Sequence, residues 1–496
     1  MNSNSPIGQP DHFQSPIYKL NFASNSSSRT PMLTQIHELD RTDVEFYPMS
    51  GGIAFDRFFS CPLDYKNPEK KHIQVFVRHL VPSGKVNLHT APFALYLQGG
   101  PGFQSPYQTN LSSGWVGVLL NQGYQILLLD QRGTGLSTAI NAQSQVSKLP
   151  TLESQVEYMT FFRADSIVKD CEHIRKIVTK GRGSEVSSKF TLLGQSFGGF
   201  CITTYLSFHP EGIDKAILTG GLPPIHSDPI DVYRKLIPRV IKRNQQYYST
   251  YKKDVERIKK IASFLEANDV TLPNGGKMTV RRFQQLGLVF GSSGGFAAIH
   301  KVVLNCCNDL DTIGRLSYKS LLELENFHDF ETNVLYAVLH EAIYCNGPSV
   351  VSGWACHQAI SSNPQFNDLF NPKNPERLDI NNPSKPFYFT GEMIFPWMSE
   401  DYVQLNKFAQ ISESIAQYDQ WSPLYDTNQL NNNKVPVVAV SYYEDPYVDL
   451  DFSIDCANNI AGCELWITNE YLHNGLSVDS RVINRLLGMF RADQLK

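Results

Sequence analysis

Residues 189–200 read KFTLLGQSFGGF, and this stretch decides the fold class. KFTLL predicts a strand, while SFGGFCITTYLSF, which begins at Ser196, contains no Pro and no charge and predicts a buried helix. Gly194 and Gly198 stand two residues on either side of Ser196, where side chains would collide in a tight turn. The stretch therefore predicts a strand, a sharp turn that exposes the Ser196 hydroxyl, and a helix whose N-terminus favours developing negative charge.

A second stretch, GSSGG at residues 291–295, matches the same G-x-S-x-G pattern around Ser293. In a chain with 33 Gly the bare pattern is a weak signal, so its surroundings must decide. The preceding LGLVF is as compatible with a helix as with a strand, and no strand signal follows within the reach of a loop. We predict that Ser196 is the nucleophile and that Ser293 is a turn or helix-end serine.

Apolar, β-prone runs recur on both sides of Ser196. They are HIQVFVRHLVP (72–82), FALYLQGG (93–100), QILLLDQRG (125–133), KAILTGG (215–221), VPVVAVSYY (435–443) and ELWIT (464–468). Runs that are apolar on both faces fit buried parallel strands, and apolar residues at helical spacing over 167–178 predict a helix between two of them. The alternation predicts an α/β fold with a mostly parallel sheet and helices on both faces.

The chain divides into three regions by character. Residues 1–45 are polar and predict an N-terminal extension, while 46–224 and 430–496 carry the strand signals and form the predicted core. Residues 225–429 predict a mainly helical cap, which begins near the Asp228-Pro229 helix start and is inserted after the sixth strand. An insertion there would lie over the strand ends, where open α/β sheets bind ligands.

A nucleophilic serine needs a base and an acid that orients the base. In folds of this topology the acid follows a late strand and the histidine follows the last one. SYYEDPYVD offers Glu444, Asp445 and Asp449, of which Asp445 lies just past the strand end; the alternative role for Asp445 is to cap a turn. His473 follows the last strand in NEYLHNGL, with an exposed loop histidine as the alternative. We predict Asp445 and His473 as the partners of Ser196.

The reaction also needs backbone donors for an oxyanion. The N–H of Phe197, at the predicted helix start, is one candidate. The loop LQGGPG (97–102) supplies the second from Gly99 or Gly100, because glycine lets the backbone approach a ligand. An ordinary glycine turn is the alternative for this loop.

Four motifs together carry a family resemblance: LQGGPG, DQRGTGLS (130–137), GQSFGG and NEYLHNG. Over residues 50–496 the chain resembles the proline iminopeptidase family of serine peptidases, in its longer branch with a larger cap. The resemblance implies the α/β-hydrolase fold and an exopeptidase that releases an N-terminal residue, preferably proline, through an acyl-enzyme. It also implies that Asp130 and Arg132 organise the loop beside the site. Gln98 departs from the pattern, since the family usually has His there.

An exopeptidase must bind a cationic α-amine, and in a dehydrated pocket that cation needs carboxylate partners. Glu341 in VLHEAIYC and Glu392 in YFTGEMIFPWM lie in unusually apolar surroundings, and the resemblance favours both as amine-binding residues. A helix-face acid or a buried pair with Arg is the alternative for each. Tyr344, Phe395 and Trp397 are candidates to shape a pocket for a pyrrolidine ring.

Composition narrows the function further. A net charge of −4 argues against nucleic-acid or anionic-membrane partners, and the mechanism needs no metal or cofactor. Nine scattered cysteines without a C-x-x-C pair, and no apolar run of membrane-spanning length, predict reduced thiols in a cytoplasmic protein. The expected partners are peptides with a free N-terminus, and the oligomeric state stays open. An esterase or amidase of the same fold and a non-catalytic binding protein are the alternatives.

Overall fold

The computed structural model describes residues 45–83, 88–182 and 188–493, so that the predicted extension over 1–45 lies, apart from residue 45, outside the described residues. Within them, a nine-stranded sheet is formed by β1 (Phe46–Met49), β2 (Gly52–Pro62), β3 (His72–Pro82), β4 (Phe93–Leu97), β5 (Gln125–Asp130), β6 (Phe190–Gln195), β7 (Ile213–Thr219), β8 (Val437–Tyr442) and β9 (Cys463–Thr468). The order is β1-β2-β3-β5-β4-β6-β7-β8-β9. Strands β4 to β9 pair in parallel, and β1, β2 and β3 are antiparallel additions at one edge. The predicted mostly parallel sheet is confirmed.

Helices connect the strands and follow the last one. Those outside the long insertion are α1 (Gly114–Asn121), α2 (Leu152–Thr160), α3 (Ala164–Val178), α4 (Phe197–Phe208), α18 (Leu450–Asn458), α19 (Gly475–Val478) and α20 (Ser480–Asp493). Alternate strand residues face opposite sides of a sheet. Leu192 accordingly packs in a core with α3 and α4, whereas Leu193 packs in a second core with α1 and α20. Both faces of the central strands are thus covered, which explains why their sequences are continuously apolar.

The long insertion separates β7 from β8. It consists of α5 (Pro229–Thr250), α6 (Asp254–Ala267), α7 (Val280–Gln284), α8 (Gly295–Ile313), α9 (Tyr318–Glu325), α10 (Val334–Leu339), α11 (Ala355–Ser361), α12 (Pro364–Phe370), α13 (Pro375–Leu378), α14 (Met398–Asp401), α15 (Val403–Asn406), α16 (Ala409–Ala416) and α17 (Thr427–Asn431), with 3-10 turns at Gln285–Gly291 and Glu341–Tyr344. The insertion follows the seventh strand of the sheet and not the sixth, because β1 and β2 form a hairpin that the sequence patterns did not resolve. The boundaries at 225 and 429 stay a prediction.

The insertion has an internal core and also shares one with the sheet. Phe283, Phe290 and Ile299 belong to an apolar cluster made entirely of insertion residues. Tyr233 and Tyr344, by contrast, belong to the same cluster as Leu192 of the sheet. Full burial of such a side chain stabilises a fold by about 1.5–3 kcal/mol, so the shared cluster fixes the insertion over the strand ends. Among the described residues, no helix combines the length and apolar character needed to span a membrane.

Candidate active site

Ser196 occupies a strained turn between β6 and α4. Its backbone has φ 55° and ψ −126°, a conformation that costs roughly 1–3 kcal/mol for a residue with a side chain. The Ser196 N–H donates to the Thr219 carbonyl at 2.9 Å, which ties the turn to the end of β7. A Cβ on Gly198 would lie 1.9 Å from the Leu97 carbonyl oxygen, and one on Gly194 would lie 2.5 Å from the Gly198 backbone. The two glycines are therefore a steric requirement of this turn.

Asp445 and His473 form a buried pair beside that turn. Asp445 Oδ2 lies 2.6 Å from His473 Nδ1, and Asp445 Oδ1 accepts the backbone N–H groups of Tyr447 at 2.8 Å and Val448 at 3.2 Å. Burial opposes the charged imidazolium, but the Asp445 carboxylate, with a further contribution from Glu392, raises the pKa of His473 above its ordinary 6.5. The carboxylate thereby orients the ring and stabilises its protonated form.

The two neighbouring acids are engaged elsewhere. Glu444 Oε1 accepts a hydrogen bond from Lys242 Nζ at 2.8 Å on the surface. Asp449 caps the start of α18, and its Oδ2 lies 2.6 Å from Arg239 Nε. Of the three acids that the sequence offered, the structure brings Asp445 to the histidine.

The Gln195 side chain connects the serine turn to the histidine loop. Its Nε2 donates to the His473 carbonyl at 2.9 Å, and its Oε1 accepts from Thr219 Oγ1 at 2.8 Å. A Cβ on Gly220 would lie 3.3 Å from His473 Nδ1, so the imidazole lies over the end of β7. Ser196 and His473 are thus held at the same carboxyl edge of the sheet. Sequence analysis missed Gln195, although its place beside the serine in the motif was a usable signal.

The glycine loop after β4 lies directly against Ser196. A Cβ on Gly99 would lie 2.8 Å from Ser196 Cβ and 3.4 Å from its Oγ, so the loop backbone lies beside the serine hydroxyl. Gly100 has φ 127° and precedes a cis peptide bond to Pro101. Gln98, the departure from the family pattern, accepts a hydrogen bond from the Tyr96 hydroxyl at 2.6 Å. The loop is therefore supported without the usual histidine.

The motif after β5 supports that loop from below. Asp130 accepts the Ser105 N–H at 3.0 Å and the Leu136 N–H at 2.9 Å, which joins two loops at the site. Arg132 forms a fully buried pair with Asp170, with Nε 2.7 Å from Oδ2, and donates to three backbone carbonyls. Both side chains have structural partners, in agreement with the organising role that the resemblance implies.

Glu392 pairs with a tyrosine of the insertion and acts electrostatically on His473. The Tyr336 hydroxyl donates to Glu392 Oε1 at 2.5 Å, and the Glu392 charge is one of those that raise the pKa of His473. The insertion thus contributes a carboxylate whose charge acts on His473. Tyr336 could not be predicted as a site residue, since nothing in the sequence marks one tyrosine among 23.

Glu341 has a different environment. Its two oxygens accept the N–H groups of Ala355 at 2.8 Å and Cys356 at 3.0 Å, at the start of α11. Burial raises the pKa of Glu341 to about 8 in spite of these hydrogen bonds. Burial raises the pKa of the Tyr344 hydroxyl, and the charges of Glu392 and Glu341, which both act on this hydroxyl, raise it further. Without a bound cation, Glu341 is mostly protonated at neutral pH.

The remaining predicted residues pack within the insertion. Phe395 stacks on Trp397 with ring centroids 5.4 Å apart, and the Arg281 guanidinium lies 4.7 Å above the Trp397 ring. Ser293 is exposed in the turn before α8, after a 3-10 turn and not after a strand. This placement agrees with the predicted turn serine.

A metal-ligand grouping occurs once among the described residues. The ligand atoms of Glu172, His209 and Glu211, at the end of α4, lie within 4.8 Å of one another. Glu172 already accepts hydrogen bonds from Arg175 at 2.7 Å and from the Tyr205 hydroxyl at 2.5 Å. These contacts explain the grouping as a structural network.

A mostly parallel sheet, a strained serine turn after its central strand and an Asp–His pair after its last two strands define an α/β hydrolase. A model of the α/β hydrolase fold matches residues 95–263. A proline iminopeptidase of Aeromonas sobria is 37% identical over 447 residues, which cover 90% of this chain and 98% of that protein. A proline iminopeptidase of Aspergillus aculeatus is 32% identical over 437 residues, 88% of this chain and 93% of the relative. The chain belongs to the proline iminopeptidase family and is a hydrolase.

A solved structure gives a weaker likeness. The proline iminopeptidase of Mycobacterium smegmatis aligns with 12% identity and a TM-score of 0.37, over 87% of this chain and 97% of that chain. The family assignment rests on the two sequence relatives.

Proposed function

We propose that the chain is a serine exopeptidase that releases an N-terminal residue, preferably proline, from peptides with a free N-terminus. The observation that carries the proposal is the Glu392 carboxylate, which is held by Tyr336 and whose charge acts on His473, since it supplies the anion that a substrate ammonium group requires. The two proline iminopeptidases that align with most of the chain support the same substrate class.

The mechanism assigns a role to each member of the triad. His473, oriented by Asp445, takes the Ser196 proton while Ser196 Oγ attacks the first peptide carbonyl. The N–H groups of Phe197 and of Gly99 or Gly100 stabilise the oxyanion. His473 then protonates the leaving amine, and water hydrolyses the acyl-enzyme.

Glu392 and Glu341 bind the α-amine in this proposal. Tyr336 fixes the Glu392 carboxylate, and the backbone of α11 fixes that of Glu341. A substrate cation lowers the pKa of Glu341 from about 8, so substrate binding at neutral pH releases a proton. Tyr344, on whose hydroxyl both acids act, and the stacked pair of Phe395 and Trp397 are proposed to line the pocket for the pyrrolidine ring.

The location proposed is cytoplasmic, with no nucleic-acid or membrane partner. All nine cysteines are free thiols, eight of them buried, which suits a reducing compartment.

The decisive experiment compares a prolyl anilide with its N-acetylated form. We expect hydrolysis of the free amine to exceed that of the acetylated substrate by at least two orders of magnitude, because acetylation removes the charge that Glu392 pairs with. Equal rates would point to the esterase or amidase alternative. Labelling by a fluorophosphonate that is lost in Ser196→Ala and kept in Ser293→Ala would separate an active serine hydrolase from a binding protein.

A further inference from the structure

The second serine pattern, GSSGG at residues 291–295, takes no part in the mechanism above, yet it lies against the base. The Gly291 carbonyl accepts the His473 backbone N–H at 3.0 Å. Two residues on, the Ser293 N–H donates to Asn474 Oδ1 at 2.9 Å. A turn of the insertion therefore holds the loop that carries the histidine, through its backbone and not through its serine hydroxyl.

Tyr447 joins the same turn to the acid and to the imidazole. Its backbone N–H donates to Asp445 Oδ1, and its ring meets the His473 ring edge-on, with centroids 4.8 Å apart at 87°. Its hydroxyl accepts the Gly291 N–H at 3.1 Å and donates to the Leu288 carbonyl. The ring of one buried residue thus contacts the base, while its backbone is held by the acid and its hydroxyl by the insertion.

Gly291 is required by this arrangement. A Cβ at that position would lie 2.2 Å from Tyr447 Cζ. The clash would fall on the ring itself, which the hydroxyl contacts hold in place, so a side chain there would displace the Tyr447 ring from its contact with His473.

We infer that residues 288–291, acting with Tyr447, are a positioning element that sets the orientation of the His473 imidazole. The inference rests on the proposed role of His473 as base. The His473 ring is then constrained by Asp445 at Nδ1 and by the Tyr447 ring at one side. The His473 backbone is held by Gly291 at its N–H and by Gln195 at its carbonyl. Displacement of a catalytic group by about 1 Å costs on the order of 100-fold in rate, so a restraint on the imidazole position preserves the rate of the reaction.

Two substitutions test the element and a third is their matched control. Tyr447→Phe removes both hydroxyl contacts and leaves the ring, and Gly291→Ala introduces the clash. Ser293→Ala removes an exposed hydroxyl from the same turn and keeps the N–H that reaches Asn474. If Gly291→Ala does not fold, Tyr447→Phe alone carries the test.

For Tyr447→Phe we expect kcat on a prolyl anilide to fall about 10-fold with KM within about 2-fold, and fluorophosphonate labelling of Ser196 to slow by a similar factor. The acidic limb of kcat/KM moves to lower pH, because a looser contact with Asp445 favours the imidazolium less. The charged groups that act on His473, Asp445 and Glu392, are unchanged in this variant. Ser293→Ala behaves as the parent enzyme in all three measurements.

The inference is overturned by a parent-like kcat and pH limb in Tyr447→Phe, by a rise in KM alone, or by an equal loss in Ser293→Ala. His473→Ala separates this failure from that of the proposed function. If His473→Ala is inactive and Tyr447→Phe is unchanged, only the positioning role is refuted. If His473→Ala keeps its activity, the proposed mechanism is wrong and the positioning role is refuted with it.

Discussion

Substitution of Glu392 by Gln tests the amine site most directly. The amide keeps an oxygen that accepts the Tyr336 hydroxyl, so the change removes charge and little else. Two unit charges about 4 Å apart at an effective dielectric constant of about 20 attract by about 4 kcal/mol. Desolvation of the ammonium group cancels part of this attraction, and a loss of about 2–3 kcal/mol of transition-state binding remains. The expected fall in kcat/KM on a prolyl anilide is about 30- to 150-fold.

The assay must separate amine binding from an effect on His473, whose pKa Glu392 also raises. Rates are therefore measured above the acidic limb, on a prolyl anilide and on a neutral acetate ester. We expect the ester rate to stay within about 2-fold, because only the amine substrate uses the charge. Glu400→Gln is the control, since Glu400 is an exposed insertion acid that pairs with Arg281. Equal losses on both substrates, or no loss on either, would refute the amine-binding role.

Three further predictions follow from the geometry. His473 must be neutral to act as base, and its pKa is raised above 6.5, so kcat/KM should fall as the pH drops through an acidic limb above 6.5. Asp445→Asn should move that limb to lower pH and reduce kcat on the order of 10⁴-fold. A pH–rate profile measures both effects. Gly198→Ala places a Cβ 1.9 Å from the Leu97 carbonyl oxygen, and we expect a loss of about 1–3 kcal/mol or more, seen as a lower melting temperature. The pKa of Glu341 is raised by burial to about 8, so its stabilising contribution is fully present below its ordinary 4.5 and is lost as pH rises through 8. The melting temperature of the substrate-free enzyme should therefore fall over this window, and Glu341→Gln should flatten that fall; a parent-like slope would contradict the assignment.

The serine turn could be predicted from sequence because its determinants are local. A strand, two glycines and an apolar helix surround Ser196 within twenty residues, and each of them can be identified from the local sequence alone. The order of Asp445 and His473 along the chain could also be predicted, because it follows from the topology of the sheet. The pairing of β1 with β2 was missed because β1 is a four-residue edge strand with half of its residues exposed.

The different contacts of the two insertion acids could not be predicted from the sequence. Glu341 and Glu392 occur in similar apolar surroundings, and no pattern tells them apart. Their difference arises from tertiary contacts: the backbone of α11 reaches Glu341, while a tyrosine hydroxyl reaches Glu392. The contact between Gly291 and His473 joins residues 182 positions apart, so it depends on how the insertion settles on the sheet.

The apolar cluster shared by the sheet and the insertion limits how this enzyme can open. Phe200 of α4 and Tyr344 of the insertion have ring centroids 6.2 Å apart, and Gly102 of the core lies so close to Tyr336 that a Cβ there would be 2.6 Å from its backbone nitrogen. Moving the insertion away as a rigid lid would expose these surfaces to water, and the free-energy cost would be about 1.5–3 kcal/mol for each large side chain exposed. Under the proposed function, a peptide would enter through side-chain and loop movements beneath an insertion that stays in place. Such an insertion would suit the terminal residue of a peptide better than its middle.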